Sequence, residues 1–158
     1  DYGYLRAEWG ELAALRYQQE MEMRARAAGA EGQKAPAQRA TDFVAHRRSS
    51  STARSSYTPG VVCGDMWEWM PRVVAESLRG GLINFDRRMH GFLTKEATLI
   101  GVESRTSTPV RIPRDKESLQ HTEVAGLYPT GEGAGYAGGI MSAAIDGMEA
   151  AEAIIASL

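Results

Sequence analysis

An α+β fold is what this sequence predicts, on three observations. Apolar residues recur at helical spacing, two short β-like runs flank a hydroxyl-rich loop, and the chain closes on a strand, a glycine-rich turn and a helix. Leu5, Trp9, Leu12 and Leu15 stand three and four apart, which places them on one face of an amphipathic helix over 4–28 with Gly29 as its stop. From 30 to 60 the composition turns to Gly, Ala, Ser, Thr and Pro, and Lys34, Arg39, Arg47, Arg48 and Arg54 outnumber Glu31 and Asp42. This is expected to be a long irregular connection, holding a short extended segment over 40–45 and a solvated basic loop over 46–56. Asp65 is placed to cap a helical turn through Trp69, and Pro71 to open a helix that ends at Gly80 and Gly81. A further helix over 82–89 stops at Gly91, and Trp67, Trp69, Met70, Val74 and Leu78 have the spacing of a buried face rather than of an aromatic cage. Runs over 98–103 and 110–113 are β-like, with the hydroxyl-rich stretch 104–109 between them. Last come an apolar strand over 126–128, a glycine-rich loop over 129–139, and a helix whose Ile140, Ala144, Met148, Ala151, Ile155 and Leu158 form one stripe.

Length and charge narrow the function classes. A chain of 158 residues can bury one core, and a net charge of −2 gives no overall attraction to nucleic acid or to an anionic membrane. A nucleic-acid arm built on Arg47, Arg48 and Arg54 is the weakest reading, because no aromatic platform interleaves those charges. Cys63 is the single cysteine, so no intrachain disulfide forms; without a Cys-x-x-Cys partner it suits packing better than redox chemistry. His46, His90 and His121 lack metal-ligand spacing, and no apolar run is long enough to span a bilayer. A soluble, reducing compartment is expected.

The glycine loop carries the chemistry. Five glycines in the nine positions 131–139 remove Cβ atoms, permit positive φ and let backbone N–H groups approach a bound group closely. The helix behind it begins with unpaired N–H donors and a partial positive charge, which favours a phosphate, a carboxylate or an electron-rich ring edge. No Gly-Lys-Ser or Gly-Lys-Thr follows, which argues against nucleoside triphosphate hydrolysis, and no first-strand dinucleotide fingerprint stands here either. On the residues alone, a ligand site and a purely structural turn are equally open.

The stretch from Gly126-Leu-Tyr-Pro-Thr-Gly-Glu-Gly-Ala-Gly-Tyr-Ala-Gly-Gly-Ile140 through Ser142-Ala-Ala-Ile-Asp-Gly147 resembles the C-terminal signature of uncharacterised FAD-dependent dehydrogenases of bacteria and plastid-bearing eukaryotes. Gly101-Val-Glu-Ser-Arg-Thr-Ser-Thr-Pro-Val-Arg-Ile-Pro-Arg114 resembles a second signature of the same group, and weaker similarity reaches back to about residue 33. The resemblance implies a partial flavoprotein fold of the glutathione-reductase-like kind: a helical and small β inserted region, then a strand, glycine loop and helix that return to the FAD fold. It implies FAD contacts from Gly131, Glu132, Gly133, Tyr136, Ala137, Gly138, Gly139 and Ile140. Glu132 would meet the ribityl hydroxyls, while Gly138, Gly139 and Ile140 would present N–H groups to the N1 and O2 edge of the ring. Arg105 and Arg111 would face the substrate, with ion pairs to Glu103 or Asp115 as their alternative. No catalytic residue is assigned.

These expectations divide the chain at 1–29, 30–60, 61–125 and 126–158. The chain opens on Asp1 rather than Met and shows no early Gly-x-Gly-x-x-Gly. An N-terminal FAD-binding half is therefore expected to be missing, and the chain alone is expected not to retain FAD. The two functional readings are the C-terminal part of an FAD-dependent oxidoreductase and a non-catalytic piece of one serving as a structural subunit of a larger assembly. Bacterial cytoplasm and plastid stroma both suit the resemblance.

Overall fold

The computed structural model describes residues 2–30, 32–105 and 107–158. Their architecture is α+β, as the sequence predicts, with one three-stranded sheet and five α-helices among the described residues. Two compact units form instead of one: Asp1–Gln18 with Glu103–Leu158, and Gln19–Val102. No helix is long and apolar enough to cross a membrane among the described residues.

The second unit is built on strand β1, Ala35–Arg39, in the middle of the sheet. Strand β2, Val61–Cys63, runs parallel to it with Ala37 opposite Cys63, and β3, Thr98–Ile100, runs antiparallel with Ala37 opposite Ile100. The region 30–60 is thus not irregular throughout, since β1 occupies 35–39, while 45–60 forms neither helix nor strand, as its composition suggests. Small residues and a buried amide make this strand: Ala37 and Gln38 are fully buried. Gln38 is tolerated there because its Nε2 donates to the Arg47 carbonyl at 2.7 Å and its Oε1 accepts from the Met66 N–H at 2.8 Å. The extended segment expected over 40–45 is instead a helix, α3, Ala40–Val44, which turns off the end of β1 and buries Phe43 completely.

Phe43 lies in the core of this unit. Met66, Trp69, Ala75 and Leu82 pack with it, and Trp67, Met70 and Leu78 lie partly buried against them. Burying a side chain of Phe or Leu size contributes about 1.5–3 kcal/mol. Trp67 stacks on Phe43 with ring centroids 5.1 Å apart and donates its indole N–H to the Phe43 carbonyl at 3.0 Å. The Asp65 cap forms as expected: its side chain accepts from the Trp67 N–H at 3.0 Å and opens a 3-10 turn over Met66–Glu68. Val74, expected in the buried face, is 44% exposed. The two helices expected on either side of Gly80 and Gly81 are one helix, α4, Arg72–Arg88. Each glycine costs an exposed helix interior about 1 kcal/mol, but Ala75 before them and Leu82 after them are buried on the same side, and that packing carries the helix through.

The first unit takes the two ends of the chain. The single helix expected over 4–28 is broken into α1, Arg6–Trp9, and α2, Ala13–Ala28, of which the residues to Gln18 belong here. Gly10 makes the break: its φ of +50° lies in the left-handed region that a helix cannot use. Helix α5, Ile140–Ala156, is where the apolar stripe predicted it. The strand expected over 98–103 ends at Ile100, and neither 110–113 nor 126–128 is a strand. A strand exists only where a neighbour completes its ladder. Ile112 instead donates to the Ala134 carbonyl at 3.1 Å, and Leu127 sits in a turn, its carbonyl accepting from the His121 N–H at 2.7 Å.

Candidate functional site

The glycine loop folds as a sequence of tight turns. Gly131 and Gly135 have φ of +75° and +86°, the Gly135 N–H donates to the Glu132 carbonyl at 2.9 Å, and the Tyr136 N–H donates to the Gly131 carbonyl at 3.1 Å. At Gly135 glycine is required twice over, since a Cβ would also stand 2.6 Å from the Val110 carbonyl oxygen. These two glycines serve the turn itself.

Gly139 is different. It caps α5 with φ −160°, extended backbone that any residue adopts, and a Cβ there would meet only the Ser142 hydroxyl at 3.6 Å. A Cβ at Gly133 would likewise meet nothing within 4 Å. The backbone conformation therefore does not itself demand glycine at 139; open space lies where its side chain would be. Ser142 Oγ accepts from the Gly139 N–H at 3.1 Å and donates to the Gly139 carbonyl at 3.0 Å, a capping arrangement that occupies one of the donors expected to face a ligand. The N–H groups of Gly138 and Ile140 have no partner among the described residues, and both residues are exposed. The Glu132 carboxylate, half-buried, is also without a hydrogen-bond or ion-pair partner among them. Thr130 Oγ1, two residues before it, is a buried hydroxyl oxygen with no partner in the described structure.

The loop is held by residues that motif spacing did not single out. Arg114 forms a two-pronged ion pair with Asp146 of α5, Nη2 to Oδ1 at 2.6 Å and Nη1 to Oδ2 at 3.3 Å, with each side chain only 9% exposed. Arg114 Nη1 also donates to the Pro129 carbonyl at 2.8 Å, and Asp146 Oδ2 accepts from the Gly131 N–H at 2.7 Å. Arg114 beside Asp146 holds its carboxyl below the ordinary carboxylate range, against the opposing effect of burial and with help from the Gly131 N–H. Tyr136 faces this pair rather than outward. Its ring lies under the Arg114 and Arg111 guanidinium groups at 3.7 and 4.7 Å, and its hydroxyl donates to the Ile112 carbonyl at 2.8 Å. Arg111 Nε donates to the Gly135 carbonyl at 3.0 Å. The ion pair expected between an arginine of this segment and Asp115 does not form with Arg111; Asp115 accepts from Ser118 and Glu117 N–H groups and from the Ser118 hydroxyl, which lower its pKa.

Thus the structure brings residues 103–114 of the first long motif and the whole of the second, 126–147, into one unit around the loop. A cleft of about 220 Å³ between them is lined by Ser107, Thr108, Gly135, Tyr136, Ala137 and Gly138. Arg105 is exposed in the same segment. Among the described residues no group of three His, Cys, Asp or Glu is placed to hold a metal ion.

A family model described as FAD-dependent protein, C-terminal domain-like, matches residues 5–106. The chain belongs to this family. The matched region of this FAD-dependent C-terminal domain-like protein contains the whole sheet and the hydroxyl-rich segment to 106, and it ends before the glycine loop. An uncharacterized protein of Clostridium beijerinckii is 44% identical over 146 residues, which cover 91% of this chain. The chain spans 27% of the length of that relative. Among the described residues, an exposed helix start with unpartnered N–H groups at Gly138 and Ile140, a Cβ-sized space at Gly139 and an unpartnered Glu132 carboxylate are compatible with part of a flavin site. The spacing Gly-x-Gly-x-x-Gly does stand at Gly133, Gly135 and Gly138, but among the described residues no strand leads into it, as the pyrophosphate-binding turn of a dinucleotide fold requires.

Proposed function

We propose that this chain is the C-terminal part of an FAD-dependent oxidoreductase of the glutathione-reductase-like kind, with the glycine loop and the start of α5 facing the flavin. The observation that carries the reading is Gly139: in a chain of this family, a glycine that neither φ nor internal packing requires heads an exposed helix start. Bound FAD would supply two-electron redox chemistry. The residues' own part is to bind and orient. Gly138 and Ile140 offer N–H groups at the positive end of α5, where negative charge on a ring edge is stabilised. Glu132 offers a carboxylate to ribityl hydroxyls. Gly131 turns the chain, Gly133 lets the backbone come close, Tyr136 and Ala137 carry the chain on to Gly138, and Arg114 with Asp146 anchors the loop to the helix. Arg105, beside the hydroxyl-rich loop, is assigned to substrate, while Arg111 has the second duty of bracing the Gly135 carbonyl.

The N-terminal FAD-binding half is the partner this reading requires. Ile140, Met148 and Ile155 on the apolar stripe of α5 are 90%, 64% and 71% exposed, a surface suited to burial against another protein part. Purified alone, the chain should be colourless; a stoichiometric flavin spectrum on it would show that an N-terminal FAD-binding half is not needed. In a longer protein carrying both halves, Glu132→Ala should weaken FAD binding with little change in midpoint potential. Equal loss of affinity and potential would move Glu132 from the ribityl chain to the ring. In the same protein Arg105→Ala should slow turnover at unchanged flavin content, whereas Arg111→Ala should lower both; parallel loss of flavin in the Arg105 variant would mark it as structural.

A further inference from the structure

The second unit contains a cleft that the flavin reading leaves unused. Its volume is about 540 Å³, within the range that takes a small organic molecule, and all of its lining residues lie between 22 and 102. The floor is apolar and fixed. Ala25 and Ala35 are buried, and Gly101, hydrogen-bonded through its N–H to the Pro36 carbonyl at 3.1 Å, lies so close to the core that a Cβ would stand 2.9 Å from Met66 Cε. One wall is the Tyr57 ring, held in position by its hydroxyl, which donates to the Gln33 carbonyl at 2.9 Å. The rim carries Arg26 from α2 and Lys34 from the segment before β1, both exposed and both without a carboxylate partner among the described residues. Glu22 adds one negative charge, so these three groups sum to +1 (two cations less one anion).

We propose that this cleft binds a small monoanionic carboxylate with an apolar body, the carboxylate at Arg26 and Lys34 and the body over Ala25, Ala35 and the Tyr57 ring. The charge argues for this class: the +1 of these three described groups is balanced by a carboxylate, whereas a phosphate monoester dianion would exceed it. A neutral ligand would gain nothing from the charges of Arg26 and Lys34. The wall and floor call for a flat or compact apolar group, since tyrosine and the small alanines offer a shallow, rigid surface.

Benzoate, phenyl phosphate and benzyl alcohol separate the possibilities, added in turn to the isotope-labelled chain while backbone amide signals are followed. The expected result is saturable movement of the Ala35 and Val102 amides with benzoate at a Kd of about 1 mM or tighter, weaker binding of phenyl phosphate, and none of benzyl alcohol. The double variant Arg26→Met with Lys34→Met, both at exposed positions, should bind benzoate at least tenfold more weakly with the rest of the spectrum unmoved. Arg26→Lys with Lys34→Arg should keep the affinity. Unsaturable shifts, tighter binding of phenyl phosphate, equal binding of benzyl alcohol, or loss of affinity in the charge-conserving variant would each overturn the proposal. None of these readouts depends on flavin, so failure here leaves the reading of the glycine loop untouched.

Discussion

Asp146→Ala should destabilise the first unit by about 3–5 kcal/mol, the cost of leaving a buried charge without its partner. The substitution removes both bonds to Arg114 and the acceptor of the Gly131 N–H in one step, leaving the Arg114 guanidinium 9% exposed and half-satisfied beneath the loop. Arg114→Ala should cost a similar amount, and the double variant less than the sum, because the second change removes the charge that the first had stranded. Denaturant unfolding followed at Tyr136 by double-mutant cycle checks this. Additive costs would show that the two side chains act independently and that their pairing is not what secures the loop. A pH dependence follows from the same pair. The folded-state pKa of Asp146 is depressed, so its contribution to stability is full above the unfolded-state value of about 3.9 and is lost as pH falls through the lower folded value. In the Asp146→Asn protein that acid-side loss should shrink.

Gly139→Ala and Gly135→Ala should separate ligand contact from loop geometry. At Gly135 the added methyl meets the Val110 carbonyl oxygen at 2.6 Å on a φ of +86°, so the variant should unfold the turn, at about 1–3 kcal/mol. At Gly139 the methyl enters open space on extended backbone and leaves the Ser142 cap intact, so stability should change by about 0.5 kcal/mol or less. In a longer protein that binds FAD, Gly139→Ala should nonetheless weaken that binding by about tenfold, or 1.4 kcal/mol, and lower the midpoint potential of what remains bound. FAD titration of the apo-protein measures the first and redox titration the second. Unchanged affinity and potential would make the glycine loop a tight turn and nothing more.

Periodicity and local chemistry determined several features by themselves. The apolar stripe of α5, the Asp65 cap and the α+β class rest on the spacing of neighbours in the chain, and local sequence contains that information. The two long motifs likewise marked the segments that meet around the glycine loop. Only tertiary structure decided the rest. Ala35–Arg39 is a strand because Val61–Cys63 and Thr98–Ile100 pair with it and because Gln38 finds partners at Arg47 and Met66. Residues 110–113 and 126–128 look as strand-like in sequence, yet find no ladder. The anchor of the loop was hidden for the same reason. Arg114 and Asp146 lie 32 residues apart, and a pair at that distance has no periodic signature; only folding brings the guanidinium within 2.6 Å of its carboxylate.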